Sequence, residues 1–514
     1  MRSVRLTVLL AGLLAAPVGA SAQTLTIASK ADIRGTNPGV NRDGETDAVA
    51  FHMVEGLVAY QEGGTVGPML AEAVELSSDG RTYTFRLRKG VKFHNGAEMT
   101  SADVLWSWNR YMDPKTDWRC RSEFDGRSGI KVEAVEAPDP HTVTMRIDRP
   151  QSLFLDSLAR PDCGMTGILH RDSVNPDGSW KAPVGTGPFR FGEWRRGQSV
   201  TLLRFDDYAA LPGKPDGLTG GKRPLVREVR FLVVPDPSTV KAGLQSGSLD
   251  AAEVPDSDLA ELSKDSRVKL HIGSTAARHA VLFQTTDPLF KSAKMRQAIA
   301  AALDVNEIVA IASDGRAKAN GSTINMRSPY YSAVQARGAK HDPALARKLL
   351  AEAGYKGERI RITTNNRKSV PSFNIAVVIQ AMLQNVGVAA DLEVVEWATH
   401  MDRFLKGNYQ VMVHSYSSRL DPALSFEHFM GPKDKQPRKV WDDPEAQALL
   451  EKATAISDAE ERQKIFDRLH ERMLDDMPLL ILFNPIDAWA TTRRVEGFTP
   501  WEGSARAWET SVRP

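Results

Sequence analysis

The chain is expected to fold as a mixed α+β protein with α/β portions that works outside the cytoplasm. Three observations lead there. The N-terminus reads as a secretory leader, the first half is rich in short strands and turns, and the later half alternates amphipathic helices with strands. No internal repeat or low-complexity tract suggests a solenoid. The 514 residues are 42% hydrophobic and 25% charged, an ordinary globular composition. At roughly 100–200 residues per domain, two to four domains are expected, each with its own core.

The leader is residues 1–22. Arg2 and Arg5 give a positive start, an apolar run follows over 6–17, and Ala20-Ser21-Ala22 has the small-x-small form that signal peptidase cleaves. Gln23 would begin the mature chain. The apolar run is shorter than the about 20 residues that span a bilayer comfortably. No cysteine sits at the cleavage point, so nothing suggests a lipid anchor. A soluble mature chain is expected.

Residues 24–28 alternate polar and apolar as a short strand does. A loop with Asp32, Arg34, Asn37 and Pro38 follows, and an apolar-periodic helix is expected around 48–57. Asp79-Gly80 lies between strand-like runs at 73–76 and 82–87, a hairpin signal. Asn95-Gly96 marks another turn. Thr100 as N-cap, with Asp103 three residues on, opens a helix over 104–111. Strands return at 132–135 and 142–147, and the Gly/Pro-rich 182–188 leads into strands at 189–191, 200–204 and 228–234. Helices are expected at 292–303, 343–353, 373–386, 445–455 and 459–473, with strands between them at 360–364, 390–395 and 410–413. The densest later apolar run, 479–483, reads as a buried strand.

The 66 basic and 64 acidic residues leave a net charge of +2, so no global field draws in nucleic acid or an anionic membrane. Cys120 and Cys163 are the only cysteines. In an exported chain such a pair most simply means one disulfide, with a functional thiol as the alternative. Closing a loop of about forty residues contributes about 3–4 kcal/mol in the chain-entropy model. Gly185 and Gly187 invite a phosphate-loop reading, but no Gly-Lys-Ser/Thr ending follows, and a strand stands where a helix should. A tight inter-strand turn is the simpler reading.

Several segments together resemble the extracellular solute-binding proteins of family 5, the dipeptide, oligopeptide and nickel receptors of ABC importers. They are Leu70-Ala-Glu-Ala73, the stretch from Asp79-Gly80 to Phe93-His-Asn-Gly96, Thr100-Ser-Ala-Asp-Val104, and Pro183-Val-Gly-Thr-Gly-Pro-Phe189. Met295-Arg-Gln-Ala-Ile299, Ala302-Leu-Asp304 and Ala346-Arg-Lys-Leu-Leu-Ala-Glu-Ala-Gly354 follow in order. Each motif is weak; their order and spacing carry the resemblance over nearly the whole mature chain. It implies two lobes closing on a ligand by a hinge, with an extra subdomain inserted in the first lobe. Carried over, lobe 1 joins 23–50, 178–275 and 487–514, the inserted subdomain is 51–177, and lobe 2 is 276–486. The disulfide would lie within the subdomain.

In the peptide-binding branches, as the resemblance implies, an aspartate four residues before the proline of an acidic-Pro pair takes the ligand's ammonium. Here the pair is Asp421-Pro422 and the matching position is Ser418, beside Arg419. A first-lobe acidic position falls near Arg42, with Asp43 adjacent. Two places for negative charge thus read as neutral or positive. Arginine in a closed cleft suits a carboxylate or phosphate, which it grips bidentately. An anionic or sugar-like solute is expected: opine-type compounds, phosphorylated sugars and glutathione-like peptides fit. The alternative, an ordinary peptide with its amine on Asp421 or Asp43, stays open. Trp118 and Arg119 offer a stacking face and a charge from the subdomain. Trp397 matches a position that often contacts ligand, and His414 and Tyr416 offer hydrogen bonds.

A nickel or metal-chelate receptor is a rival reading, on His414 and His428, but the eleven histidines show no paired ligand spacing. An exported hydrolase lacks a Gly-x-Ser-x-Gly, and Asp442-Asp443 and Asp475-Asp476 read as helix-edge carboxylates. No catalysis and no cofactor are expected. The expected partners are a small-molecule or short-peptide ligand, an ABC permease and, through it, cytoplasmic ATPases, with no nucleic acid and a monomeric state.

Overall fold

The computed structural model describes residues 24–40, 43–127, 130–367 and 370–513. The leader and Arg42 lie outside the described residues. Two lobes, each built on its own sheet, are joined by paired crossovers, and a third sheet belongs to a segment inserted in the first lobe.

The first-lobe sheet has seven strands. In spatial order they are Val268–Ser274, Ile486–Thr492, Ala251–Glu253, Thr24–Ser29, Glu228–Val233, Ser199–Arg204 and Phe189–Arg195. Thr24–Ser29 lies parallel to both neighbours, and its predicted alternation is its burial pattern, with Leu25 and Ile27 inward. The inserted sheet is a four-stranded antiparallel one. Ala71–Leu76 and Thr82–Leu87 form the predicted hairpin, with Gly80 in the left-handed region at φ 68°. Thr142–Ile147 and Val132–Asp139 complete it. The helix Ser101–Met112 starts at the predicted capping box of Thr100 and Asp103. Cys120 and Cys163 form a disulfide, with Cα atoms 5.6 Å apart.

The second-lobe sheet runs Ala390–Val395, Ile360–Asn365, Val411–Tyr416, Arg278–Phe283 and Leu479–Phe483. Its first three strands are parallel. Arg278–Phe283 and Leu479–Phe483 are buried throughout, because helices cover both faces. Side chains alternate between two cores. Val281 and Phe283 join Ile299, Ile375 and Ile379 on one face; Leu282 and Met412 join Phe426, Phe429 and Phe466 on the other.

The predicted helix around 48–57 is displaced. The helix is Gly44–Ala50, capped by Asp43, and the chain is irregular from 54 to 57. Tertiary backbone bonds take over: Gly187 N and Phe189 N donate to Met53 O and His52 O at 3.0 and 3.1 Å, and Ile168 N donates to Glu55 O at 2.8 Å. A Cβ on Gly185 or Gly187 would lie 2.3 or 2.5 Å from those carbonyl oxygens. The glycine pair is a close backbone crossing.

The two lobes connect at 274–278 and 483–486. Thr275 N donates to Pro485 O at 3.2 Å, and the Asn484 amide to Ala277 O at 2.8 Å. The lobes are thus linked by two short neighbouring segments.

Candidate functional site: the interlobe edge

In open α/β sheets, ligands gather beyond the carboxyl ends of the parallel strands. In the second lobe those ends are Asn365, Val395 and Tyr416; in the first they are Ser29, Val233 and Glu253. The two edges meet. Ser418 Oγ, just past Tyr416, donates to Glu502 Oε2 of the first lobe at 3.0 Å. Glu502 also accepts from Ala276 N in the crossover at 2.9 Å and pairs with Arg327. Burial raises its pKa, opposed by these donors and by Arg327. Beside it, a cavity of about 250 Å³ at the first-lobe edge is lined by Ser29, Lys30, Glu45, Glu253 and Glu502. Lys30 pairs with Glu253 at 2.6 Å, and Ser29 Oγ donates to Glu45 at 2.7 Å.

The second-lobe edge is a run of rings. Trp397, first residue of the helix Trp397–Lys406, stacks on His400 with centroids 5.4 Å apart. His400 Nε2 and His414 Nδ1 share a hydrogen bond of 3.1 Å, and His414 stacks on Phe404 at 4.0 Å. Tyr416 stacks on His428, and Arg278 lies 5.5 Å from the Tyr416 ring centroid. Burial keeps these imidazoles neutral: His400 is lowered to about 4, His414 lies well below its usual value, and His428 is at about 2.

Arg278 is the unusual group. It is wholly buried and has no carboxylate partner among the described residues. Its guanidinium donates to Ala276 O, to Ser425 O and Oγ, and to His428 Nδ1 at 3.0 Å. Arg278 Nε and the Tyr416 hydroxyl are both buried without a hydrogen-bond partner among the described residues. Burial lowers Arg278 to about 10. Arg419, Arg438 and Lys439 add positive charge around His428. Those cations count against a metal cation on His428.

The other expected site residues fall as follows. Ser418 and Arg419 sit on the meeting edge, with Arg419 donating to Ser418 O at 2.7 Å. Trp397 is half-buried there, and the guanidinium of exposed Arg367 lies 5.1 Å from its ring centroid. Asp421 is committed elsewhere: it caps the helix Pro422–Glu427, and Arg462 Nη2 donates to both of its carboxylate oxygens at 2.9 Å. Asp43 is occupied by Thr46 as a helix cap. The stacking role expected of Trp118 is corrected. Its ring is 3% exposed, packs with Tyr111 and Phe124, and donates to Cys163 O at 2.9 Å, since the disulfide draws it into the inserted core. Arg119 is exposed and bonds to Gly39 O through its backbone. Arg278, Arg367 and Glu502 were not foreseen. Arg278 left one signal, a charge opening an apolar run; Glu502 left none.

The chain matches the family model described as bacterial extracellular solute-binding proteins, family 5, over residues 65–437. It is 27% identical to the oligopeptide-binding protein AppA of Bacillus subtilis, covering 84% of this chain and 80% of that one. It is 28% identical to the heme-binding protein A of Haemophilus influenzae, covering 86% and 83%. Among solved structures it resembles the binding protein AgaA in complex with agropinic acid from A.tumefacien R10, at 28% identity and TM-score 0.70, covering 96% and 99%. With two lobes meeting at their carboxyl edges and a family match over most of its length, the chain belongs to the bacterial extracellular solute-binding proteins of family 5.

Proposed function

We propose that this chain is the receptor of an ABC importer, sent to the periplasm by cleavage after residue 22. There it captures a peptide-class or opine-like solute bearing a carboxylate and hands it to a membrane permease driven by cytoplasmic ATPases. It does this without catalysis. The observation that carries the ligand reading is the unsatisfied pair at the second-lobe edge, Arg278 Nε and the Tyr416 hydroxyl. Buried polar groups normally find partners, and a guanidinium without an anion is costly. A ligand carboxylate reaching this edge would satisfy both, with Arg419 and Arg367 framing the approach and Trp397 offering a face. The AgaA and AppA relatives support an anionic or peptide-class solute.

A second reading has its own observation. Glu502 supplies negative charge opposite Ser418, so a zwitterionic peptide would find an acid for its ammonium group there. Native mass spectrometry of protein exported to the periplasm and gently purified separates the two. A single anionic mass is expected. A series spaced by amino-acid residues would transfer the reading to an ordinary peptide receptor.

A further inference from the structure

A cavity of about 310 Å³ lies between the inserted segment and the second lobe. Tyr83, Leu155 and Asp156 form one wall; Tyr330, Asp421 and Arg462 form the other. Its volume is at the lower end of the about 300–1,000 Å³ typical of small-molecule sites. It backs onto the loop that carries Ser418 and Arg419.

The two acids in it are held differently. Asp421 and Arg462 match one another through two hydrogen bonds of 2.9 Å. Arg462 is occupied further by Ala453 O and the Tyr330 hydroxyl. Asp156, on the helix Phe154–Ala159, is 8% exposed and has no ion-pair partner among the described residues. The titratable and charged groups that face it are Asp421, Arg462 and Tyr330 across the cavity and Tyr60 and Tyr83 from its own side. Arg160, next along the chain, is paired with Asp162 at 2.8 Å. Burial, and then the charge of Asp421, push the Asp156 carboxyl well above the usual carboxylate range.

We propose that this cavity binds an ammonium or guanidinium group on a short apolar chain, with Asp156 as its counter-ion and Leu155, Tyr83 and Tyr330 around the alkyl part. The charge count closes. With Asp156 protonated, Asp421⁻ and Arg462⁺ sum to zero before binding. Binding adds one positive charge, Asp156 loses its proton to solvent, and the sum is again zero. The group can belong to a free amine or to a basic side chain of a solute held at the interlobe edge.

The test is calorimetry on the full mature chain with n-pentylammonium, against n-pentanol as the neutral control, in two buffers of different ionisation enthalpy near neutral pH. Pentylammonium should bind about tenfold more tightly than pentanol and release about one proton per site. Asp156→Asn keeps the shape of the protonated acid, so it should fold normally; it should weaken pentylammonium about tenfold and abolish the proton release. Arg367→Ala should leave pentylammonium binding unchanged, separating this site from the proposed carboxylate edge. Equal binding of amine and alcohol, no proton release, no binding at all, or an Asp156→Asn chain that binds as before would each overturn the proposal. Gly-Lys against Gly-norleucine then identifies the source. A lysine preference lost in Asp156→Asn assigns a ligand side chain, and no preference, with pentylammonium still bound, assigns a free amine.

Discussion

Arg419 and Glu55 mark two ways a charge is held in this molecule. Arg419 bonds within its own loop, to Ser417 Oγ and Ser418 O, on the edge that faces the first lobe. Arg419→Ala should weaken an anionic ligand by at least about tenfold while thermal stability stays within about a degree or two. Titration calorimetry beside a melting curve reads both, and unchanged affinity would remove Arg419 from the site. Glu55 is interior. Its carboxylate meets Lys222 Nζ at 2.6 Å with both side chains buried, and accepts from Thr186 and Tyr208 at 3.0 and 2.8 Å. Glu55→Gln would strand the Lys222 charge, and breaking such a pair from one side costs about 3–5 kcal/mol. Urea denaturation should show that loss; a change under about 1 kcal/mol would mean Lys222 finds another partner.

At the scale of elements, backbone approach decides as much as side-chain pattern. The segment after Ala50 gives up its helix because its carbonyls are taken by the 185–189 loop. Gly187→Ala should therefore cost about 1–3 kcal/mol, as overpacking does, since the new Cβ would fall 2.5 Å from His52 O. An unaltered unfolding midpoint would mean that this crossing can open. Elements whose signals are local were legible beforehand. The Asp79-Gly80 hairpin, the Thr100–Asp103 capping box and the run 479–483 appear where the pattern places them. The Trp397–Lys406 helix was not foreseen, because it begins directly after a strand with no side-chain N-cap.

Across the whole molecule, buried neutral histidines set the acid limit. Burial lowers His52 to about 3 and His94 and His279 to about 4, below the ordinary 6.5. The folded state then binds fewer protons than the unfolded state, so stability is full above about pH 6.5 and falls as pH drops toward 4. Asp487 acts in the opposite sense. Burial raises it to about 6, so its contribution is present at low pH and is lost as pH rises through 6. The histidines outnumber it, and the melting temperature should fall steadily between pH 7 and pH 4.5. Asp487→Asn should steepen that fall by removing one of the buried carboxyls, with Asp156 and Glu502, that oppose the histidines. A flat profile in the parent chain would mean that the imidazoles reach water on the native side.

By itself the sequence determined the class of the protein and most of its regular elements. Turns, caps and apolar periods act over a few residues, and the family motifs stand in order along the chain. The disulfide was legible from the cysteine count together with the expected leader. The site was only half legible. Ser418, Arg419, Trp397, His414 and Tyr416 could be proposed because the family resemblance maps candidate ligand positions onto them, and they lie along one strand edge and the helix beside it. Tertiary structure alone decided the rest. Arg278 is left without a carboxylate partner among the described residues because helices bury its strand on both faces. Glu502 reaches Ser418 because two lobes far apart in the chain meet at their carboxyl edges. Asp156 faces Asp421 because an inserted segment leans on the second lobe. Trp118 turned from a ligand face into core because the disulfide beside it closes that segment on itself. Charge environment depends on which surfaces come together, and that is a property of packing at long sequence separation.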